Sequence, residues 1–273
     1  MISKPTFLTR KIILAMDETL VSIITPTYNC GKFISETIDS VLAQTYTKWE
    51  MIIFDDCSTD DTAERVKHYV EIDKRIHYIK SEQNLGAAIT RNNAIKMAKG
   101  RWIAFLDSDD LWRPEKLERQ LKFMSENNYH FSYHEYVEID ENSNEIGTYI
   151  SGIKKVGKFS MLCCCWPGCL SVMYDAKVVG CPQIANVKKN NDTAMWLQIV
   201  KKAKCYLLKD NLAYYRKRQG SITPLSVKSK VEWHYKLFRA LGKGRLLSLF
   251  LTCFNIFGNA YKKIYYTKKY SVA

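Results

Sequence analysis

The sequence predicts an α/β fold: a mostly parallel central sheet flanked by helices, followed by a basic helical appendage at the C-terminus. Three observations carry that reading. Short apolar runs alternate with segments of helical periodicity through the first half of the chain. Polar clusters recur where those runs end, at the edge where open α/β sheets bind ligands. Lysine and arginine then collect in residues 226–273, which hold ten of them against the single acid Glu232, a net +9.

The elements follow in order. Leu20 to Thr25 is a buried strand stopped by Pro26, and Ile34, Ile38, Val41 and Leu42 mark a helix. Trp49 to Phe54 is a second strand, ending at Asp55-Asp56. Ser58 with Asp61 three residues on predicts a capping box for a helix through Val66 and Tyr69. Ile76 to Ile79 is a third strand. Gly86 to Lys99 reads as a helix with Gly100 at its C′ position. Arg101 to Leu106 is a fourth strand running into Asp107-Ser108-Asp109-Asp110, and Pro114 opens a helix whose Leu117, Leu121 and Met124 share a face.

Beyond Tyr129 the pattern changes. His130 to Ile139 and Thr148 to Ile153 alternate as antiparallel strands do, across a polar 141–144 turn. Asp192 to Lys201 reads as a helix, and Cys205 to Leu208 and Leu212 to Arg216 as two short strands. Gly220-Ser221 reads as a mobile loop. The expected organisation is an N-terminal extension (1–19), an α/β domain (20–223, divided at 112/113 into 20–112 and 113–223) and a basic amphipathic tail (224–273).

Composition excludes several classes. Of the 273 residues 25% are charged and 47% hydrophobic, a globular mixture and not a disordered one. The longest apolar run, 246–257, contains Ser248, Thr252 and Asn255 and falls short of the roughly 20 residues a spanning helix needs. Nine cysteines at irregular spacings, none as CxxC, fit reduced thiols in the cytosol. The N-terminal apolar stretch 12–16 is too short for a signal peptide, so a cytoplasmic protein is expected.

Three rim groups define a candidate site: Tyr28-Asn29, Asp55-Asp56 and Asp107-Ser108-Asp109. The Asp107/Asp109 pair in D-x-D spacing suits a hard cation, Mn²⁺ or Mg²⁺, that leaves positions open for phosphate oxygens. A solvated acidic turn would carry the same triplet, and its place beside the other rim groups favours the metal. Asp56 can accept a hydrogen bond from a base edge, or merely cap the next helix. Arg91 can reach a diphosphate, or sit in a surface ion pair. Asp192 can be a helix N-cap, a general base, or both. No phosphate loop of the G-x-x-x-x-G-K-[ST] type, no G-x-G-x-x-G and no G-x-S-x-G is present. His130 and His134 read as structural histidines.

Residues 21–29 (VSIITPTYN), 52–60 (IIFDDCSTD), Asn84-Leu85-Gly86 with Ala88 and Arg91-Asn92, and 105–112 (FLDSDDLW) resemble, in order, the motifs of family 2 inverting glycosyltransferases of the GT-A fold. Asp192 to Leu197 and Tyr214-Tyr215-Arg216 with Ser221 continue the likeness, which covers about 20–223 and is similar to enzymes of bacterial capsule, lipopolysaccharide and teichuronic-acid assembly. The resemblance implies that Pro26, Tyr28 and Asp56 hold a uridine. It implies that Arg91, Asp107 and Ser108 line the nucleotide-sugar, that Asp109 with Asp107 binds the cation, and that Asp192 is the catalytic base. It implies an inverting hexosyl- or N-acetylhexosaminyl-transferase using a UDP-sugar and a glycan or lipid-linked acceptor. Two departures stand out: Asn191-Asp192 replaces the family's frequent Glu-Asp, and the Q-x-x-R-W signature of processive synthases is missing, which implies single addition. The basic, aromatic tail fits an anionic membrane surface and peripheral attachment at the inner face of the cell membrane, or packing on the catalytic domain. Nucleic-acid binding by that tail leaves the acidic rim unexplained, and sugar nucleotidyl transfer remains the alternative chemistry.

Overall fold

The structure, a computed structural model, describes residues 19–184, 187, 189–218 and 226–272. The first half alternates as β1 (Val21–Thr27), α1 (Gly31–Leu42), β2 (Trp49–Asp55), α2 (Thr62–Ile72), β3 (Ile76–Lys80), α3 (Ala87–Met97) and β4 (Trp102–Phe105). The second half holds β5 (Leu111–Trp112), α4 (Lys116–Glu126), β6 (Phe131–Ile139), β7 (Glu145–Ile150), β8 (Lys155–Val156), α5 (Lys158–Cys163), a 3₁₀ turn (Cys169–Ser171), β9 (Met173–Asp175), α6 (Ala176–Val179) and α7 (Asn191–Ile199). β10 (Cys205–Arg216), α8 (Val227–Ala240), α9 (Arg245–Tyr265) and β11 (Thr267–Lys269) complete it.

The strands join in one sheet of order β11-β7-β6-β9-β4-β1-β2-β3, with β10 beside β6 and also pairing β5 and β8. The β4-β1-β2-β3 half is parallel. Beyond it β9, β6, β7 and β11 pair antiparallel in turn. The result is a mixed sheet flanked by helices. Alternation along the strands divides the core between the two faces. Val21, Ile23, Met51 and Ile53 pack on Ile34, Ile38 and Val41 of α1, Val66 of α2 and Leu117, Leu121 and Met124 of α4. Ile24, Ile52 and Phe54 pack on Ala94 and Ile95 of α3 and join the cluster that holds Trp196 of α7 and Leu237, Phe238 and Leu251 of α8 and α9. Each such side chain contributes roughly 1.5–3 kcal/mol on burial, so both faces of β1 and β2 are locked.

Several local expectations are corrected. Pro26 does not stop β1, which runs to Thr27. Ile24 O accepts from Leu106 N, so even-numbered residues of β1 face β4, and β4 has ended where Pro26 would need to donate. Ser58 and Asp61 form no capping box: the helix begins at Thr62, and Ser58 Oγ accepts from Asn29 N instead. Gly100 is not a left-handed C′ residue, because α3 ends at Met97. A Cβ at Gly100 would lie 2.6 Å from Ser22 N, so close strand approach explains the glycine. Cys205–Arg216 is one strand with register shifts, not two. Of the two placements the sequence left open for the tail, packing on the body is seen over residues 226–272: β11 pairs with β7, and Leu237, Phe238 and Leu251 are buried. Gly220-Ser221 and Pro224 lie outside the described residues. His134 is buried with its Nδ1 donating to Glu135 O (2.8 Å), and burial with the nearby Lys116 lowers its pKa to about 3.

Lys116 is a conflict inside the core. Its Nζ is buried without a hydrogen-bond partner, 3.7 Å from the Trp112 ring centroid, at the unfavourable N-terminus of α4. A cation–π contact is worth up to ~2 kcal/mol, whereas burying an unpaired ammonium costs several. Burial therefore wins and holds the amine well below its usual range. The unfolded chain binds the extra proton, so stability rises with pH below the ordinary lysine pKa. Lys116→Met is expected to stabilise the fold by roughly 1 kcal/mol or more at neutral pH and to flatten that rise, measured by urea denaturation across pH.

Candidate active site

The carboxyl ends of β1, β2 and β4 converge. Thr27 is in register with Asp55 and Ile24 with Phe105. The loops beyond them are tied: Asn29 Oδ1 accepts from Thr59 N (2.8 Å), Asp56 N donates to Thr27 O (2.9 Å) and Cys30 Sγ donates to Ser108 O (3.4 Å). The three sequence-distant rim groups thus meet at one edge. Tyr28 sits on the rim 47% exposed, leaving a ring face open to solvent, and Pro26 is half-buried behind it. Ser108 is buried in the turn.

The two neighbouring acids after β2 do different work. Asp55 is fully buried and accepts from Tyr78 Oη (2.5 Å) and Ser58 N (2.7 Å), so it shapes the loop. Asp56 accepts from Leu85 N (2.6 Å) and Gly86 N (2.8 Å), fixing the entry to α3, where Gly86 adopts φ +83°. Each Asp56 oxygen has a second lone pair for a ligand.

Arg91 is the bridge between the halves of the site. Its guanidinium is buried and donates to Asp107 Oδ1 (2.7 Å) and to Asn191 Oδ1 (2.6 Å). It is not a surface ion pair. Asp192 is not the N-cap either; Asn190 caps α7 in the left-handed region (φ 56°). Asp192 lies in the first turn, with Oδ1 accepting from Thr193 N (2.7 Å). Burial raises its pKa, Thr193 and Arg91 oppose the rise, and Asp107 adds to it. A carboxylate raised in this way is a stronger base.

The turn after β4 is held from behind by Arg216, a residue that spacing alone did not mark. Arg216 N donates to Asp110 Oδ1 (2.9 Å), its Nε to Asp109 O (2.7 Å) and its Nη2 to Glu36 Oε2 (2.8 Å). Asp110 is buried, and burial followed by the charges of Asp109 and Asp107 pushes its carboxyl well above the usual range. Cys169 Sγ lies 3.8 Å from Asp107 Oδ1. In the sequence Arg216 is marked only by the Tyr214-Tyr215-Arg216 likeness and Cys169 not at all; the chain path brings both to this turn.

Among the described residues no group of three or more His, Cys, Asp or Glu side chains could hold a metal alone. Asp107 and Asp109 are two hard oxygen donors on one turn, and Asp109 has its pKa raised by burial, with Asp107 adding to the rise. That donor set fits a Mg²⁺ or Mn²⁺, which Asp107 and Asp109 would hold while leaving its other positions for phosphate oxygens or water. Arg218 Nε currently lies 2.6 Å from Asp109 Oδ2 and would share or yield that oxygen.

The mixed sheet with its flanking helices is the GT-A fold of the solved structures it superposes on. Residues 22–173 match the domain described as glycosyl transferase family 2, and the chain belongs to that family. It is 42% identical over 205 residues, 75% of this chain and 81% of its relative, to TuaG of Bacillus subtilis (strain 168), whose name assigns it provisionally to teichuronic acid biosynthesis. It is 42% identical over 186 residues, 68% of this chain and 72% of the relative, to the Escherichia coli UDP-Glc:alpha-D-GlcNAc-diphosphoundecaprenol beta-1,3-glucosyltransferase WfgD. The fold superposes on S. aureus TarS 1-349 in complex with UDP-GlcNAc with a TM-score of 0.68 at 20% identity, covering 90% of this chain and 74% of that one. Family membership decides between sugar transfer and nucleotidyl transfer in favour of the former.

Arg216→Met is expected to destabilise the fold by roughly 1–3 kcal/mol, because it takes the Nε donor from Asp109 O and the guanidinium charge from beside buried Asp110, while the backbone bond from residue 216 to Asp110 stays. Glu36→Gln, at the half-exposed end of its ion pair with Arg216, should cost ~1 kcal/mol or less. Urea denaturation of both variants checks the contrast.

Proposed function

We propose that the chain transfers one sugar per encounter, with inversion, from a UDP-sugar to a hydroxyl of a glycan or lipid-linked acceptor in cell-surface polysaccharide assembly. The observation that carries this reading is the buried Arg91 joining Asp107, on the donor side, to the Asn191-Asp192 start of α7. Support for the donor and acceptor classes comes from relatives: one is named for UDP-Glc and a diphosphoundecaprenol-linked acceptor, and TarS has been crystallised with UDP-GlcNAc.

In this reading Tyr28 stacks on the base, Asp56 accepts from its edge, and Pro26 backs the pocket. Arg91 faces the diphosphate, with Ser108 in the turn that lines it. Asp107 and Asp109 would hold Mn²⁺ or Mg²⁺, which neutralises charge on a departing diphosphate. A Mn²⁺ complex of the Pyrobaculum calidifontis mannosyltransferase PcManGT, 16% identical with a TM-score of 0.62 over 89% of this chain and 74% of that one, shows that metal in the same fold.

Asp192 takes the proton from the acceptor hydroxyl. The hydroxyl oxygen attacks the anomeric carbon from the face opposite the diphosphate, the bond to the diphosphate oxygen breaks, and the nucleoside diphosphate leaves. Asn191 supplies a neutral acceptor to Arg91 where many family members carry Glu, so Arg91 keeps its position with one negative charge fewer beside the base.

Asp192→Asn is expected to lower turnover by ~10²–10⁴-fold while leaving UDP binding within a few-fold, measured by UDP release and by calorimetry. Near-normal turnover would remove Asp192 as the base. Because burial raises the Asp192 pKa, activity should fall on acidification at a pH above the ordinary aspartate value of 3.8. A pH–rate profile with its acid limb at or below that value would contradict the role. Chelation should abolish transfer, with Mn²⁺ or Mg²⁺ restoring it.

A further inference from the structure

α9 is packed with its polar side inward. Ser248, Thr252 and Asn255 are fully buried, while Leu246, Phe250, Phe257 and Ile264 are 85%, 57%, 74% and 71% exposed. These four, with Tyr261 between the last two, follow steps of four, seven, four and three, one stripe of a helix. Leu249 and Phe254 border it, also exposed. The stripe runs ~27 Å along the surface, and soluble monomers rarely leave so continuous an apolar strip open.

The orientation is held by hydrogen bonds that a rolled helix would lose. Asn255 Nδ2 donates to Leu162 O (2.9 Å), and Lys262 Nζ donates to Cys165 O (3.1 Å) and Trp166 O (2.7 Å). A Cβ at Gly258 would collide with the Cys163 carbonyl oxygen, so the helix backbone sits directly on the end of α5. The apolar side is therefore presented, not misplaced.

Charge selects the occupant. Residues 226–273 carry net +9, and their one acid, Glu232, is paired with Lys236 (2.5 Å). Arg245 and Lys263 are exposed on α9 and Lys268 on β11, with Tyr261 and Tyr265 among them. A second copy of the same face would bring like charge against like charge. An anionic bilayer offers acyl chains to the stripe and phosphates to the cations. Among the described residues no helix is long and apolar enough to cross a membrane.

We infer that the outward face of α9 is a docking surface for anionic phospholipid, with the helix lying in the plane of the bilayer surface. Its inner side grips the 163–166 segment, and Cys165 there lies beside Asp192 and Thr193. Docking thus sets the bilayer on the side of the molecule that carries the acceptor half of the site. Docking itself stands on α9; only its use, delivery of a lipid-linked acceptor to Asp192, rests on the proposed sugar transfer.

Flotation of the full chain with vesicles of phosphatidylcholine containing phosphatidylglycerol tests the inference. The wild-type chain should float with these vesicles, bind pure phosphatidylcholine more weakly, and lose binding as salt is raised. Phe250→Ser/Phe257→Ser should weaken partitioning by at least ~tenfold, and Leu246→Ser/Ile264→Ser should act alike. All four side chains are solvent-exposed, so both variants should keep the wild-type thermal transition and donor hydrolysis in solution. No flotation of the wild type, unchanged flotation of both double variants, or a wild-type dimer that these substitutions dissociate would overturn it. Flotation without any UDP-sugar turnover would sustain the docking surface and defeat the sugar-transfer reading instead.

Discussion

The structure depends on the containment of negative charge at one edge of the sheet. Asp55, Asp56, Asp107, Asp109, Asp110 and Asp192 are gathered there because the strands carrying the first five end together. Six carboxyl groups in a partly dry space repel one another, and burial raises the pKa of three of them. Two buried guanidiniums make the arrangement tenable. Arg91 serves the open side and Arg216 the back of the turn, each with planar, multidentate donors that a lysine would not supply.

Those constraints link fold to chemistry. β1 and β2 are apolar on both faces, so their ends cannot shift without breaking two cores. The loops beyond them are stitched by backbone-to-side-chain bonds at Asn29, Asp56 and Ser58, giving a rim that is rigid before any donor arrives. The acceptor side is assembled differently, from α7, the 163–169 segment and the helices that pack behind them. The family 2 match, residues 22–173, spans the first part and reaches through the 163–169 segment of the second.

Much of the donor half was legible in the chain. The β1 and β2 runs, the D-S-D turn and the periodicity of α1 and α4 are local patterns whose physics is local. The errors were those of neighbours unseen. Pro26 breaks a strand only if a neighbour needs its amide, and β4 stops short of it. Gly100 looked like a helix terminus, yet it is small because Ser22 passes close by. Asp192 looked like a cap because the true one, Asn190, uses its left-handed backbone and no side-chain bond.

By itself the sequence determined which residues are apolar, which strands are buried on both faces, and that carboxylates follow the strand ends, because hydrophobic period and turn chemistry act within a few residues. Tertiary structure alone decided that Arg91 reaches Asn191 across 100 positions of chain, that Arg216 supports the 107–110 turn from behind, and which side of α9 faces outward. An amphipathic pattern reads the same whether its apolar face turns in or out. The choice fell to carbonyls at Leu162, Cys165 and Trp166, which accept from Asn255 and Lys262 in one orientation only.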